Sequence, residues 1–514
     1  MRSTTARFAL TGAGVAEACA RVEEFLAAQR FSARETKRLR LTVETLLRRV
    51  GERMGRQTEC ELTLRRRLGR AEVRIRYAGA EYDPTTAFRE NEGNIWSEKL
   101  LAELGLVPEW SRRRGVNCLA LRPRFCERLA WLLQLAAIAC AALLSLLPDA
   151  ERLEAWALAP LRTLLDSLWS ILGAPLVFFS AVAVVCGVAD TLLLGKRARR
   201  MLGRFAGLTL LWAALGTAAF ALLPLAGGAM REGWAARLWD ALRAVVPADP
   251  LSPFLTADIP QLLFLALVTG LALALLGGRT ARVREWAEQC AYLARALTEA
   301  ICRLTPLALL CALPRLFRCG ALARAWRPLA LFAVLALAMA ALKLLLVCAS
   351  RRESPARLLG ALLPLAGAAF RCGCADAAFG AVLDGCENDL RVPHERLLLG
   401  LPTGNVLCAP LGALCAPAAL ACLALAGDLP ADALSLAAYA LLGVLLTVTL
   451  PHTPGARLLG LWLLLRGMAS SAEDLALLAA ACVLFDALCS ALSGVYLSLE
   501  LLRQSDIADA EAEK

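Results

Sequence analysis

Residues 129–147, LAWLLQLAAIACAALLSLL, form a run long enough, as a helix, to cross the hydrocarbon core of a bilayer. Further apolar passages lie at about 164–189, 203–225, 254–277, 286–318, 329–350 and 472–499. Hydrocarbon offers the backbone no hydrogen bonds, so such a chain must satisfy its amides within helices. The whole sequence of 514 residues is 58% hydrophobic and 20% charged, against roughly half and a quarter in an average soluble protein. A soluble enzyme, a secreted disulfide scaffold and a disordered regulator are all poor fits. No enzymatic constellation of nucleophile, acid and base stands out.

The net charge of +11 is placed beside apolar runs, with Arg122, Arg124 and Arg128 before the first, KRARR at 196–200 and Arg351-Arg352 after another. These clusters read as cytoplasmic flanks of membrane helices, so a nucleic-acid partner is not expected and both termini are expected in the cytoplasm of a multi-pass plasma membrane protein. The first apolar run starts only near Leu129, which argues against a cleavable signal at the amino end. The 19 cysteines are scattered through Leu/Ala-rich spans, and the closest pair, Cys372 and Cys374, lacks CxxC spacing. They read as small buried hydrophobes, with a softer polar lining by Cys372, Cys374, Cys408 and Cys489 as the lesser reading. With His394 and His452 as the two histidines, no metal or cofactor is expected.

Residues 1–124 differ in composition. Amphipathic patterns at about 14–29 and 35–51 precede the alternating segments ECELTLRRR at 59–67 and AEVRIRYAG at 71–79 and a short CLALR at 118–122. Two helices followed by strands predict a small soluble α+β domain. Beyond 355 the apolar helices are interrupted by AGAAFRCGC, LPTGNVLCAPLG and LPHTPGAR. Either these are loops between short helices, or they are breaks at membrane depth that line a protected polar cavity.

Over about 127–502 the sequence resembles the dicarboxylate/amino acid:cation symporter family, which has the glutamate-transporter fold. The resemblance rests on ILGAPLVFFS at 171–180, LGRFAGLTLLW at 202–212, TPLALL at 305–310, CENDLRVPHERLLLGLPTGN at 386–405, LPHTPGA at 450–456 and LFDALCSALSG at 484–494, in that order. It implies a multi-pass α-helical membrane protein with eight membrane helices, two re-entrant hairpins at about 356–391 and 428–470, a short cytoplasmic tail at 503–514 and a homotrimeric assembly. It also implies transport of an acidic amino acid or dicarboxylate coupled to Na⁺ or H⁺, chemistry that needs oxygen ligands for a hard cation and donors for carboxylates.

The sequence departs from the family at those positions. The serine-rich first hairpin tip reads Arg371-Cys372-Gly373-Cys374-Ala375-Asp376, and the family's NMDGT break corresponds to Cys408-Ala409-Pro410-Leu411-Gly412. Asp486 matches the aspartate associated with the substrate amino group, while Cys489 stands at the arginine that reads a second carboxylate. Ser490 keeps a hydroxyl, Ser493 replaces an asparagine and Leu497 replaces a late cation-binding aspartate. An ionisable residue inside an apolar span is costly unless paired or facing a cavity, which gives Asp486 an interest of its own.

The N-terminal region resembles the ATP-binding domain of sensor kinases and serine-kinase anti-sigma factors, through LRLTVETLL at 39–47, IRYAGAEYDP at 75–84 and RRRGVNCLALR at 112–122. The family's Mg²⁺-holding asparagine corresponds to Arg48, four residues after Glu44, and its adenine-reading aspartate to Tyr77; GNI at 93–95 is a remnant of the glycine-rich loop. A degenerate ATPase domain is therefore expected, free to recognise a cytoplasmic protein partner.

The expectation for the whole chain is symport of a small polar organic solute, such as an amino acid or carboxylate, with altered cation coupling and weak or absent Na⁺ dependence. The solute site is expected from Asp486, Cys489, Ser490, Ser493, Cys374 and Asp376, with breaks at Thr403-Gly404-Asn405 and Pro454-Gly455 shaping the cavity. The alternative is a non-transporting membrane sensor or scaffold.

Overall fold

The computed structural model describes residues 4–28, 33–55, 57–67, 70–84, 109–113, 115–121, 128–193, 196–224, 245–256, 258–372, 382–427, 433–450, 455–465 and 472–512. The chain forms two compact units, Met1–Glu127 with Asp376–Pro402, and Arg128–Ala375 with Thr403–Lys514.

In the first unit, β1 (Thr4–Ala9), α1 (Gly12–Ala28), α2 (Ala33–Met54), β2 (Glu59–Arg67), β3 (Arg70–Ala78), β4 (Glu109–Arg113) and β5 (Val116–Leu121) follow in order. The strands make one antiparallel sheet ordered β1-β2-β3-β5-β4. Alternation fixes its register: Cys60, Leu62 and Leu64 stand opposite Tyr77, Ile75 and Val73, and all six are buried. Val15, Cys19, Val22 and Leu26 of α1 and Leu39, Val43, Leu46 and Val50 of α2 recur at helical spacing and close over that face. A strand thus precedes the two helices, where the sequence reading begins with helices. The segments TTARFA and EWSRR have too few apolar positions to alternate visibly, and each lies at a sheet edge, held by one neighbour.

On the other face Glu72 pairs across the strands with Arg65 and along its own strand with Arg74 at 2.8 Å. Burial alone would push its carboxyl up, but hydrogen bonds from the two guanidinium groups and their charges outweigh it and bring the group down to about 2.

The second unit is helical. Its elements are α3 (Arg128–Ser145), α4 (Ala159–Leu193), α5 (Lys196–Ala221), α6 (Ile259–Leu276), α7 (Ala281–Cys302), α8 (Thr305–Cys319), α9 (Ala321–Arg351), α10 (Pro355–Cys372), α11 (His394–Leu407, whose start lies in the first unit), α12 (Pro410–Gly427), α13 (Ala433–Thr449), α14 (Ala456–Leu465) and α15 (Ala472–Ala512). Among the described residues six helical segments are long and apolar enough to cross a membrane, or seven if the bent pair α7–α8 counts as one. The passage read as one run at 286–318 is two helices meeting at 49°, with a proline in the first turn of the second. Leu267, Val268, Leu271 and Leu275 lie exposed on α6 while Leu262, Ala266 and Leu273 are buried, so this helix turns one apolar face to its neighbours and another outward. An outward face of that kind is stable against hydrocarbon, and the unit is a multi-pass helical membrane body.

α12 lies at its centre, packed against α5, α9, α13 and α15, and residues 408–424 are buried throughout. Small residues let backbones approach: a Cβ at Gly443 would stand 2.4 Å from that of Ala416. The arms of the second expected hairpin, α13 and α14, pack on each other, since a Cβ at Gly460 would overlap Leu450 and crowd Leu446.

Candidate functional site

Asp486 lies on α15 with 8% of its surface exposed. Its Oδ1 accepts a hydrogen bond from Arg457 Nη1 at 2.7 Å, and its Oδ2 accepts one from the Gly455 N–H at 3.2 Å. Both donors come from one short stretch, the last residue before α14 and its first turn. Gly455 has φ +85°, and a Cβ there would lie 2.0 Å from Thr305 Oγ1. Glycine is therefore required twice, by the left-handed backbone and by the approach of α8. The Thr305 hydroxyl is itself fixed by donating to Cys302 O at 2.6 Å.

Positions 486, 490 and 493 follow one face of α15 by their spacing. Ser490 is buried and donates to the Asp486 carbonyl at 2.5 Å, which leaves its lone pairs for a donor. Ser493 is half-buried on the same face. Cys489 is fully buried, 3.8 Å from Cys415 Sγ of α12 and within electrostatic range of Arg457. Arg457 was not anticipated by sequence reasoning. Its signal was present, because LPHTPGAR ends in a cation two residues after the glycine, at the start of an apolar helix.

The remaining expected residues separate. Cys374, Asp376 and Pro454 lie outside the described residues. Thr403, Gly404 and Asn405 are helical, within α11, and the interruption falls later, at Cys408 and Ala409. The physical reason is local: Pro410 starts a new helix without an N–H, and Thr209 of α5 serves the buried backbone groups that the break frees. Its hydroxyl donates to Leu407 O at 2.8 Å and accepts from the Ala409 N–H at 3.2 Å. Gly404 meets apolar side chains, since a Cβ would stand 2.4 Å from Leu497 and 3.2 Å from the Phe205 ring. Among the described residues no three His, Cys, Asp or Glu side chains are grouped to hold a metal ion.

In the N-terminal unit Arg48 bonds Glu44 at 2.6 Å, so the guanidinium occupies the carboxylate it follows. Tyr77 is buried in the core, its hydroxyl donating to Tyr82 O at 2.9 Å. GNI at 93–95 lies outside the described residues.

The arrangement joins a buried carboxylate, a guanidinium and hydroxyl groups at a glycine break between membrane helices, a geometry suited to holding a small charged solute. No curated protein sequence matches the chain. The sequence profile of the sodium:dicarboxylate symporter family matches residues 130–493, well over half of the chain. These membrane helices are those of a transporter and not of an enzyme, and the chain belongs to the sodium:dicarboxylate symporter family.

Proposed function

We propose that this protein carries out secondary active symport of a small carboxylate-bearing solute, such as a dicarboxylate or an amino acid, and that Arg457 is the group that reads its carboxylate. The observation that carries this reading is the Arg457–Asp486 pair at the Gly455 break. Asp486 is occupied within the protein, so a solute gains most by offering its own carboxylate to the guanidinium; a bidentate pair of that kind is among the stronger neutralising contacts. Arg457 thus takes over from α14 the role that Cys489 has lost on α15. An amine on the solute is free to take Asp486 as Arg457 moves.

The architecture proposed with it is a homotrimer of eight membrane helices and two re-entrant hairpins with both termini cytoplasmic. Supporting the second hairpin, α13 and α14 rise about 26 and 15 Å at 1.5 Å per residue, short of a roughly 30 Å core, and pack against one another. Na⁺ dependence is weak, because Cys408, Ala409 and Leu497 offer no side-chain oxygen at the break. The N-terminal unit serves as a cytoplasmic protein-interaction module.

The test is uptake into proteoliposomes of labelled succinate, malate, aspartate and glutamate under separate Na⁺ and pH gradients. Uptake or exchange of at least one carboxylate supports the reading. A folded preparation that moves none of them contradicts it, and strong Na⁺-driven aspartate uptake contradicts the altered coupling.

A further inference from the structure

Fourteen residues beyond Asp486, about 21 Å along α15, a second buried charge cluster joins this helix to α9 and α5. Lys343, about two turns before the end of α9, is 3% exposed and Glu500 is fully buried. Lys343 Nζ bonds Glu500 Oε2, while Oε1 accepts from Arg204 Nε at 2.5 Å and Gln504 Nε2 at 2.9 Å. Two cations converge on one carboxylate. Arg204 and Glu500 already form a neutral pair, so among these groups the Lys343 proton is the surplus charge.

A surplus charge inside a membrane body is expensive and marks a functional position by default. The two cations are chemically unequal, because a lysine exchanges its proton readily and an arginine keeps it. The groups facing Lys343 come from every side of the cluster: Arg204 from α5, Glu500, Arg503 and Tyr496 from α15, and Cys408 from the interruption before α12. The ammonium lies 5.5 Å from the centroid of the Tyr496 ring, whose hydroxyl accepts from Trp212 Nε1 at 3.2 Å. Loss of the proton therefore leaves a neutral amine beside an aromatic ring and a complete Arg204–Glu500 pair, and relieves the repulsion from Arg204 and Arg503.

We propose that Lys343 carries the coupling proton of this transporter. The inference rests on the symport reading and adds the ion and the group that binds it. In the step, an N–H bond of the ammonium breaks, the electron pair stays on Nζ, and the proton passes to water on the side to which the cluster opens; uptake from the other side reverses it. The change turns the charge-assisted Lys343 bond between α9 and α15 into a weaker neutral one, beside the break that Thr209 ties to α5, and so links protonation to the helix that also carries Asp486.

The test compares wild type, Lys343→Arg and Lys343→Met in proteoliposomes with the membrane potential clamped. Labelled succinate and aspartate are followed both in equilibrium exchange and in uptake driven by one unit of pH gradient. One proton per solute gives about tenfold accumulation per unit in the wild type. Lys343→Arg keeps the charge and cannot release it, so exchange persists while accumulation falls to onefold. Retained pH-driven accumulation in a folded Lys343→Arg protein overturns the proposal, as does wild-type uptake that follows a Na⁺ gradient and ignores pH; either leaves the transport reading standing. A wild type that exchanges neither probe counts against the transport reading, and the lysine is then decided without solute by ¹⁵N resonances of its side-chain amine in the full chain. A neutral-amine signal that is absent from Lys343→Arg supports the proposal, and an ammonium that persists over the whole pH range in which the protein stays folded overturns it.

Discussion

Arg457 Nη1 lies 2.7 Å from Asp486 Oδ1 and ties the first turn of α14 to the middle of α15. The neighbouring Gly455 N–H holds the other carboxylate oxygen at 3.2 Å, so the short helix is fastened to the long one at two adjacent residues. A solute that takes the guanidinium loosens one fastening and keeps the other. On the proposed reading, recognition of a carboxylate is thereby joined to a change in how α14 seats on α15.

Breaking this pair from one side leaves the other charge buried and alone. Asp486→Asn and Arg457→Gln are each expected to destabilise the purified protein by about 3–5 kcal/mol, while the double variant recovers more than half of that loss. Thermal unfolding of the four proteins in one detergent measures this, and additive losses contradict the coupling.

Gly455→Ala meets both a left-handed backbone and the Thr305 hydroxyl. The backbone term alone costs about 1–3 kcal/mol, so the variant is expected to melt lower and to lose carboxylate exchange. Shortening the neighbour by Thr305→Ala removes the overlap with the hydroxyl and leaves the close Thr305 Cβ at 3.0 Å and the backbone term. Partial recovery of melting temperature is therefore the expected result, and full recovery places the cost in the contact alone.

The N-terminal sheet is expected to weaken in acid through Glu72. Its carboxyl is lowered from 4.5 to about 2 in the folded protein, so its contribution is fully present above about pH 4.5 and is lost as the pH falls toward 2. Hydrogen exchange of β2 and β3 peptides in the full chain, corrected for intrinsic rates, reads this directly. Glu72→Gln removes the dependence and lowers protection at neutral pH; an unchanged acid profile in that variant contradicts the assignment.

The same unit is expected not to bind Mg·ATP. If the unit has the ATP-binding ancestry that its sequence resembles, Arg48, bonded to Glu44, stands in place of a metal ligand, and the buried Tyr77 stands in place of the adenine-reading carboxylate. Arg48→Asn alone does not restore binding, because Tyr77 remains. Calorimetry on the full chain at millimolar nucleotide tests this, and micromolar ATP binding contradicts it.

Much of this was legible in the chain. The helical spacing of Val15, Cys19, Val22 and Leu26 and the alternation of Val73, Ile75 and Tyr77 name their own elements, since each buries a face that its own periodicity defines. β1 and β4 escape the pattern because an edge strand is recruited by its neighbour rather than by its own apolar residues. At the site, Asp486 is conspicuous as a carboxylate in an apolar run. Arg457 is not, because its partner lies on another helix and only the fold brings them within 2.7 Å. The break at Cys408 and Ala409 is hidden for a similar reason: the hydroxyl that stabilises it belongs to Thr209, about two hundred residues earlier. The cluster at Lys343 is equally distributed over three helices and leaves no local motif.

The central claim is that Arg457 reads the solute carboxylate, and it is tested most directly by exchange of labelled succinate and aspartate into matched proteoliposomes carrying wild type or Arg457→Gln. Loss of a charged hydrogen bond of about 1.5–3 kcal/mol predicts a roughly 10- to 100-fold weaker apparent affinity for carboxylates in the variant at equal protein content and intact fold. Equal affinity in the two proteins contradicts the account.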